Sequence, residues 1–229
     1  MKPAPLAPIL VVLLLIASCS SKKTDQAANE AAFDSVRLST YSGFTAVAVT
    51  HEVGDYKTWL KVYTDKSDPE SRLSIFASPE DPNLITIFEL TKSHKDAKNA
   101  FASPEFKETL LEEGVTSEPM VNFFDIKFRV TGPTTKLYRL GVTHEVDNYD
   151  KWKKIFDEDE HVRSKADLEL RAISTNADNP NMVNIMFATN DIEKAKGVIN
   201  SDELRKRMTE AGVKTEPAFA VFRVPEEPR

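Results

Sequence analysis

One cysteine, seven scattered glycines and no basic stripe set the first limits on this 229-residue chain. A lone Cys19 has no partner for a disulfide within the chain. None of the glycines forms a phosphate-cradling cluster, which disfavours nucleotide cofactors, and no cofactor is expected. His-Glu-x-x-His and paired cysteines are missing, as is any Ser, His and Asp order suited to nucleophilic catalysis; no metal site is expected either. Acidic residues outnumber basic ones, 36 to 30, giving a formal charge of -6 and a pI near 5.4. Phosphate binding needs clustered Lys and Arg, whereas here they are dispersed among acids, which argues against a nucleic-acid partner.

The N-terminus reads as a processing signal. Lys2 supplies a small positive region, and residues 9–16 form an unbroken apolar run too short for a stable bilayer span. Ile16-Ala17-Ser18-Cys19 follows and resembles the bacterial lipobox, in which small residues precede a cysteine that becomes the lipidated N-terminus. The resemblance implies a diacylglycerol on Cys19 with a further acyl chain such as palmitate, hence durable anchoring in a lipid bilayer. Ser20, in place of Asp, points to the outer membrane, facing the periplasm. Residues 1–18 are then the signal peptide, and residues 19–42, polar and without periodicity, a tether.

A pattern recurs in the rest of the chain. Thr50-His51-Glu52-Val53, with Tyr56 and Trp59, returns 93 residues later as Thr143-His144-Glu145-Val146, with Tyr149 and Trp152. The chain therefore divides into a first unit (43–129), a turn-rich linker (130–136), a second unit (137–224) and a short tail (225–229). Each unit begins with an alternating, Val- and Thr-rich strand. A helix follows with Tyr56, Trp59, Leu60 and Tyr63 on one face, or Tyr149, Trp152 and Phe156, capped by Asp55 or Asn148. Two strands joined at Pro82-Asn83 or Pro180-Asn181 come next. The second helical region is interrupted at Ser103-Pro104 or Ser201-Asp202 and stops at Gly114 or Gly212, before a last strand. This order, β-α-β-β-α-β, is the ferredoxin-like unit, and two such α+β units can close face to face into a barrel. After the first helix the first unit is five residues shorter than the second, so a pocket built there is asymmetric.

The series Val142-Thr143-His144-Glu145-Val146, Tyr149-x-x-Trp152, Asn179-Pro180-Asn181 and Ala211-Gly212-Val213-x-x-x-Pro217 resembles the dimeric α/β-barrel superfamily, in particular small relatives of the antibiotic biosynthesis monooxygenases. The resemblance spans both units. It implies two ferredoxin-like repeats forming an intramolecular barrel, a pseudo-dimer within a monomer. Cofactor-free monooxygenases, isomerases and proteins without known chemistry share this fold, so it does not by itself fix an activity. It also implies a functional place for Arg163, since relatives carry an arginine about three turns beyond the helix tryptophan.

Eight residues stand out as site candidates, each with a plainer alternative. His51 and His144 lie in apolar stripes, either as core residues or, for His144 above all, as a general base. Trp59 and Trp152 read as core or as stacking platforms for a planar ligand. Asn184, opposite Thr86 of the first unit, must be bonded within the protein or face a lumen. Arg163, and with it Arg139, suits an anionic substrate or a salt bridge to Glu158 or Glu160. His161, within an acidic helical run, reads as a solvated face rather than a metal ligand. Two functions remain: a lipid-anchored barrel that binds a small apolar or aromatic molecule or scaffolds a partner, and a cofactor-independent monooxygenase or isomerase using His144.

Overall fold

Strand alternation sorts the side chains of each unit onto two faces, and helices cover the bulkier one. The computed structural model describes residues 45–67, 69–130 and 132–225. The signal segment, Cys19, the tether and the end of the tail lie outside the described residues.

The first half runs β1 (Thr45–Glu52), α1 (Tyr56–Lys66), β2 (Arg72–Ala77), β3 (Leu84–Thr91), α2 (His94–Phe101), α3 (Pro104–Glu112) and β4 (Met120–Arg129). The second runs β5 (Tyr138–Glu145), α4 (Tyr149–Glu158), α5 (Glu160–Lys165), β6 (Glu169–Asn176), β7 (Met182–Thr189), α6 (Ile192–Ile199), α7 (Asp202–Glu210) and β8 (Ala218–Arg223). Helix α5 is the element by which the second half exceeds the first.

Local chemistry sets the helix ends. Asp55 and Asn148 accept from the amides of Thr58 and Lys151 at 2.8 and 2.9 Å, and Ser103 and Ser201 cap α3 and α7 in the same manner. Gly114 and Gly212 take φ of 87° and 85°, the left-handed region open to glycine. In each, the following valine amide returns to the helix, Val115 to the Leu110 carbonyl and Val213 to that of Met208, which closes a Schellman cap. The same valines bridge to Val53 and Val146, tying helix end to strand end.

Each half forms a four-stranded antiparallel sheet, β4-β1-β3-β2 or β8-β5-β7-β6, and the two join edge to edge into a closed eight-stranded barrel. One seam pairs β4 with β6 from Phe124↔Asn176 to Arg129↔Ala172; the other brings β2 to β8 at Ala77↔Arg223. Because neighbours are antiparallel all round the ring, β1, β2, β5 and β6 start at the same rim where β3, β4, β7 and β8 end.

Outward-facing side chains form the cores under the helices. Leu140, Val142, Val146, Trp152 and Ile185 build one, and Val53, Trp59, Ile85, Leu110 and Val115 another. Inward faces differ in kind: Ala46, Ala48, Gly141, Ala172 and Ala220 are small, and side chains of that size leave a barrel interior open.

Candidate functional site

Two separate places hold the residues of interest. The first lies between sheet and helices. His51 on β1 and His144 on β5 point outward into the helix-covered cores, and are only 1% and 3% exposed. Each meets its tryptophan edge-on, His51 with Trp59 at 5.8 Å and His144 with Trp152 at 5.7 Å. Neither ring nitrogen of either histidine has a hydrogen-bond partner among the described residues. Burial without a compensating charge pushes both imidazoles down to a pKa of about 4, so both are neutral at pH 7.

The tryptophans are almost wholly buried, at 1% and 2% exposure. Trp59 stacks on Tyr63 at 4.9 Å and Trp152 on Phe156 at 4.8 Å, with the histidines closing their edges. As these side chains are packed, a stacked ligand would have to displace a core residue. Arg163 is buried beside them, with its guanidinium 3.8 Å from the Phe156 ring centroid and Nη1 donating to the Phe156 carbonyl. The salt bridge to Glu158 or Glu160 offered as its plain explanation is not what holds it. Glu158 pairs instead with Arg207, which also grips Asp159. A cavity of about 60 Å³ remains between His144, Trp152, Arg163 and Arg207, room for a few water molecules at most. His161 is exposed, its Nδ1 3.3 Å from the Glu158 carbonyl. Among the described residues no group of three metal-ligating side chains converges.

The second place is the barrel lumen, a cavity of about 590 Å³. Of the candidates named from the sequence, Asn184 and Arg139 face it. The Asn184 amide oxygen accepts from the Thr143 hydroxyl at 2.8 Å and its nitrogen lies 3.4 Å from the Met182 carbonyl. At the matching position of the first half, Thr50 and Thr86 share a hydroxyl hydrogen bond of 2.9 Å. The buried polar groups expected from the sequence thus satisfy one another and still line a cavity. Phe76, Phe88 and Phe222 form an aromatic cluster on the lumen wall, with centroids 5.7 to 6.5 Å apart.

Three arginines also line the lumen: Arg129 at the end of β4, Arg139 at the start of β5 and Arg171 at the start of β6, all at one rim. Among the described residues no Asp, Glu, Lys or His lines it. Sequence reasoning missed Arg129, Arg171 and the small wall residues. The signal was present in the complement of the histidine stripe: Ala46, Ala48 and Thr50 alternate with Val47, Val49 and His51, and a strand face of small residues is what an open lumen requires.

The class defined by these observations is a dimeric-type α+β barrel contained in one chain. Solved structures carry the same fold. A monooxygenase candidate from Lactobacillus acidophilus superposes with a TM-score of 0.50 at 12% identity, covering 80% of this chain and 94% of that one. A chlorite dismutase candidate gives 0.52 at 9%, covering 80% and 95%. An uncharacterised ferredoxin-fold protein from Listeria monocytogenes, related to antibiotic biosynthesis monooxygenases, gives 0.47 at 8%, covering 82% and 98%. At such identities the likeness of the first two establishes architecture and nothing about chemistry. No family model and no curated protein matches the sequence.

Proposed function

We propose that this chain is a membrane-anchored lipoprotein of the bacterial envelope, a tandem repeat whose barrel lumen binds a small, largely apolar molecule. The observation that carries the reading is the lumen itself: about 590 Å³, within the ~300–1,000 Å³ range of small-molecule sites, walled by small aliphatic and aromatic side chains. Among the described residues lining it there is no carboxylate or imidazole to move a proton, which favours binding over chemistry. Native mass spectrometry of the full chain after exposure to a bacterial envelope extract tests this. A ligand mass on the wild type that is weakened or lost in Ala220→Phe, which narrows the lumen, supports binding; no adduct on either sinks it. Anchoring rests on Cys19, and Cys19→Ala should release the protein from the membrane fraction and abolish palmitate labelling.

A second reading has one observation in its favour. His144 is a neutral imidazole with no partner among the described residues, beside a small cavity also lined by Trp152 and Arg163, as a cofactor-independent monooxygenase or isomerase would require of a general base. A cavity of about 60 Å³ does not admit a polycyclic substrate, so this reading needs the helices to part. Oxygen uptake with quinol substrates that disappears in His144→Ala would favour it, and unchanged uptake would remove His144 from any mechanism.

A further inference from the structure

The lumen is polarised along its axis. At one end its polar groups are neutral and mutually satisfied, Thr50 with Thr86 and Thr143 with Asn184. At the other stand three guanidiniums. Arg171 is neutralised by Glu169, whose Oε1 it reaches at 2.6 Å, and it also holds the carbonyls of Val130 and Gly132. Arg129 reaches across to the Leu73 carbonyl at 2.8 Å.

Arg139 differs from Arg171. Its Nη1 donates to the carbonyls of Lys136 and Tyr138, and its guanidinium lies 5.8 Å from the Phe76 ring centroid. Among the described residues no carboxylate lies within ion-pair distance of it; Glu169, held by Arg171, acts on it only from further away. A half-buried cation left with carbonyls and a ring face is favourably disposed towards an anion that also offers apolar surface. Burial, and after it the neighbouring Arg171 charge, hold its pKa below the usual guanidinium value, with Glu169 opposing the shift.

We propose that the lumen takes an apolar monocarboxylate, its carboxylate on Arg139 at the arginine rim and its body against Phe76, Phe88 and Phe222. This rests on the reading of the lumen as a binding site and adds the charge and direction of its ligand. The neutral far end suits an apolar terminus, because a second charge there would find only hydroxyl and amide groups already bonded to one another. An acidic protein would repel anions over most of its surface; the rim concentrates attraction where the ligand's head must sit.

The test uses the full chain with three twelve-carbon probes, dodecanoate, dodecanol and dodecyltrimethylammonium, and bound mass measured by native mass spectrometry. Dodecanoate should bind best and the ammonium least. Arg139→Gln should weaken dodecanoate roughly tenfold or more, the size of a lost charge-assisted hydrogen bond, and leave dodecanol unchanged. Arg139→Lys, which keeps the charge, should recover part of the loss and guards against simple misfolding. Dodecanol binding as tightly as dodecanoate, with no effect of Arg139→Gln, would overturn the proposal while leaving lumen binding intact. If none of the probes binds, or if Ala220→Phe leaves binding untouched, the lumen reading falls and the proposal with it.

Discussion

Lowering the pH from 7 to 5 should destabilise this protein through two buried residues. His51 and His144 are buried without hydrogen-bond partners among the described residues, and each has a pKa near 4 in the fold against 6.5 in its unfolded reference. A base with a depressed native pKa binds more protons unfolded than folded. Stability is therefore complete above about pH 6.5 and is lost as pH falls towards about 4. Between pH 7 and pH 5 the linkage amounts to about 2 kcal/mol for each histidine, or ~4 kcal/mol for the pair if they act independently. Against a typical total of ~5–15 kcal/mol that is a large share. Urea unfolding at half-unit steps between pH 7 and pH 5 measures it, with a double histidine variant as the control for carboxylates such as Glu113, whose pKa burial raises. The double variant His51→Leu/His144→Leu should show a flat profile across the same window, since leucine keeps the apolar contact and removes the titration. A wild type that is equally stable at pH 7 and pH 5, or a double variant that keeps the slope, would refute the assignment of both rings as buried and neutral.

Three further outcomes follow from particular contacts. Gly114→Ala should cost ~1–2 kcal/mol for forcing an L-residue into the left-handed region; Gly212→Ala should cost more, because its Cβ would sit 3.2 Å from Asp147, whereas Gly114 faces open space. Thermal melts of the two variants decide the order, and equal losses would contradict it. Arg163→Ala should destabilise by ~2–3 kcal/mol through its lost stack and carbonyl bond, while Glu160→Ala changes stability by less than ~0.5 kcal/mol; parity between them in urea melts would restore the salt-bridge explanation. Asp55→Ala and Asn148→Ala, which remove equivalent caps in the two halves, should each lower stability by ~1 kcal/mol, and an effect confined to one half would mean the caps are not equivalent.

Much of the architecture could be read from the chain because it is written in local chemistry. The caps at Asp55, Asn148, Ser103 and Ser201, the turns at Gly114 and Gly212 and the aromatic faces of α1 and α4 each depend on neighbours within a few residues. The five-residue excess of the second half was visible as a length, and only the fold shows it as the short helix α5, which ends by burying Arg163 against Phe156. Two faces of β1 and β5 could be separated by alternation, but alternation does not say which face a helix covers. The histidine stripe faces the helices, and the unremarked stripe of Ala46, Ala48 and Gly141 faces the lumen.

By itself, then, the sequence determined the doubled unit, its element order and the neutral amide at Asn184, since repeats, periodicity and capping are properties of adjacent residues. The tertiary structure decided what closes on what. Joining β4 to β6 and β2 to β8 places Arg129, Arg139 and Arg171 at one rim. Those arginines come from three different strands, and no spacing along a chain specifies which strand ends a barrel will bring together.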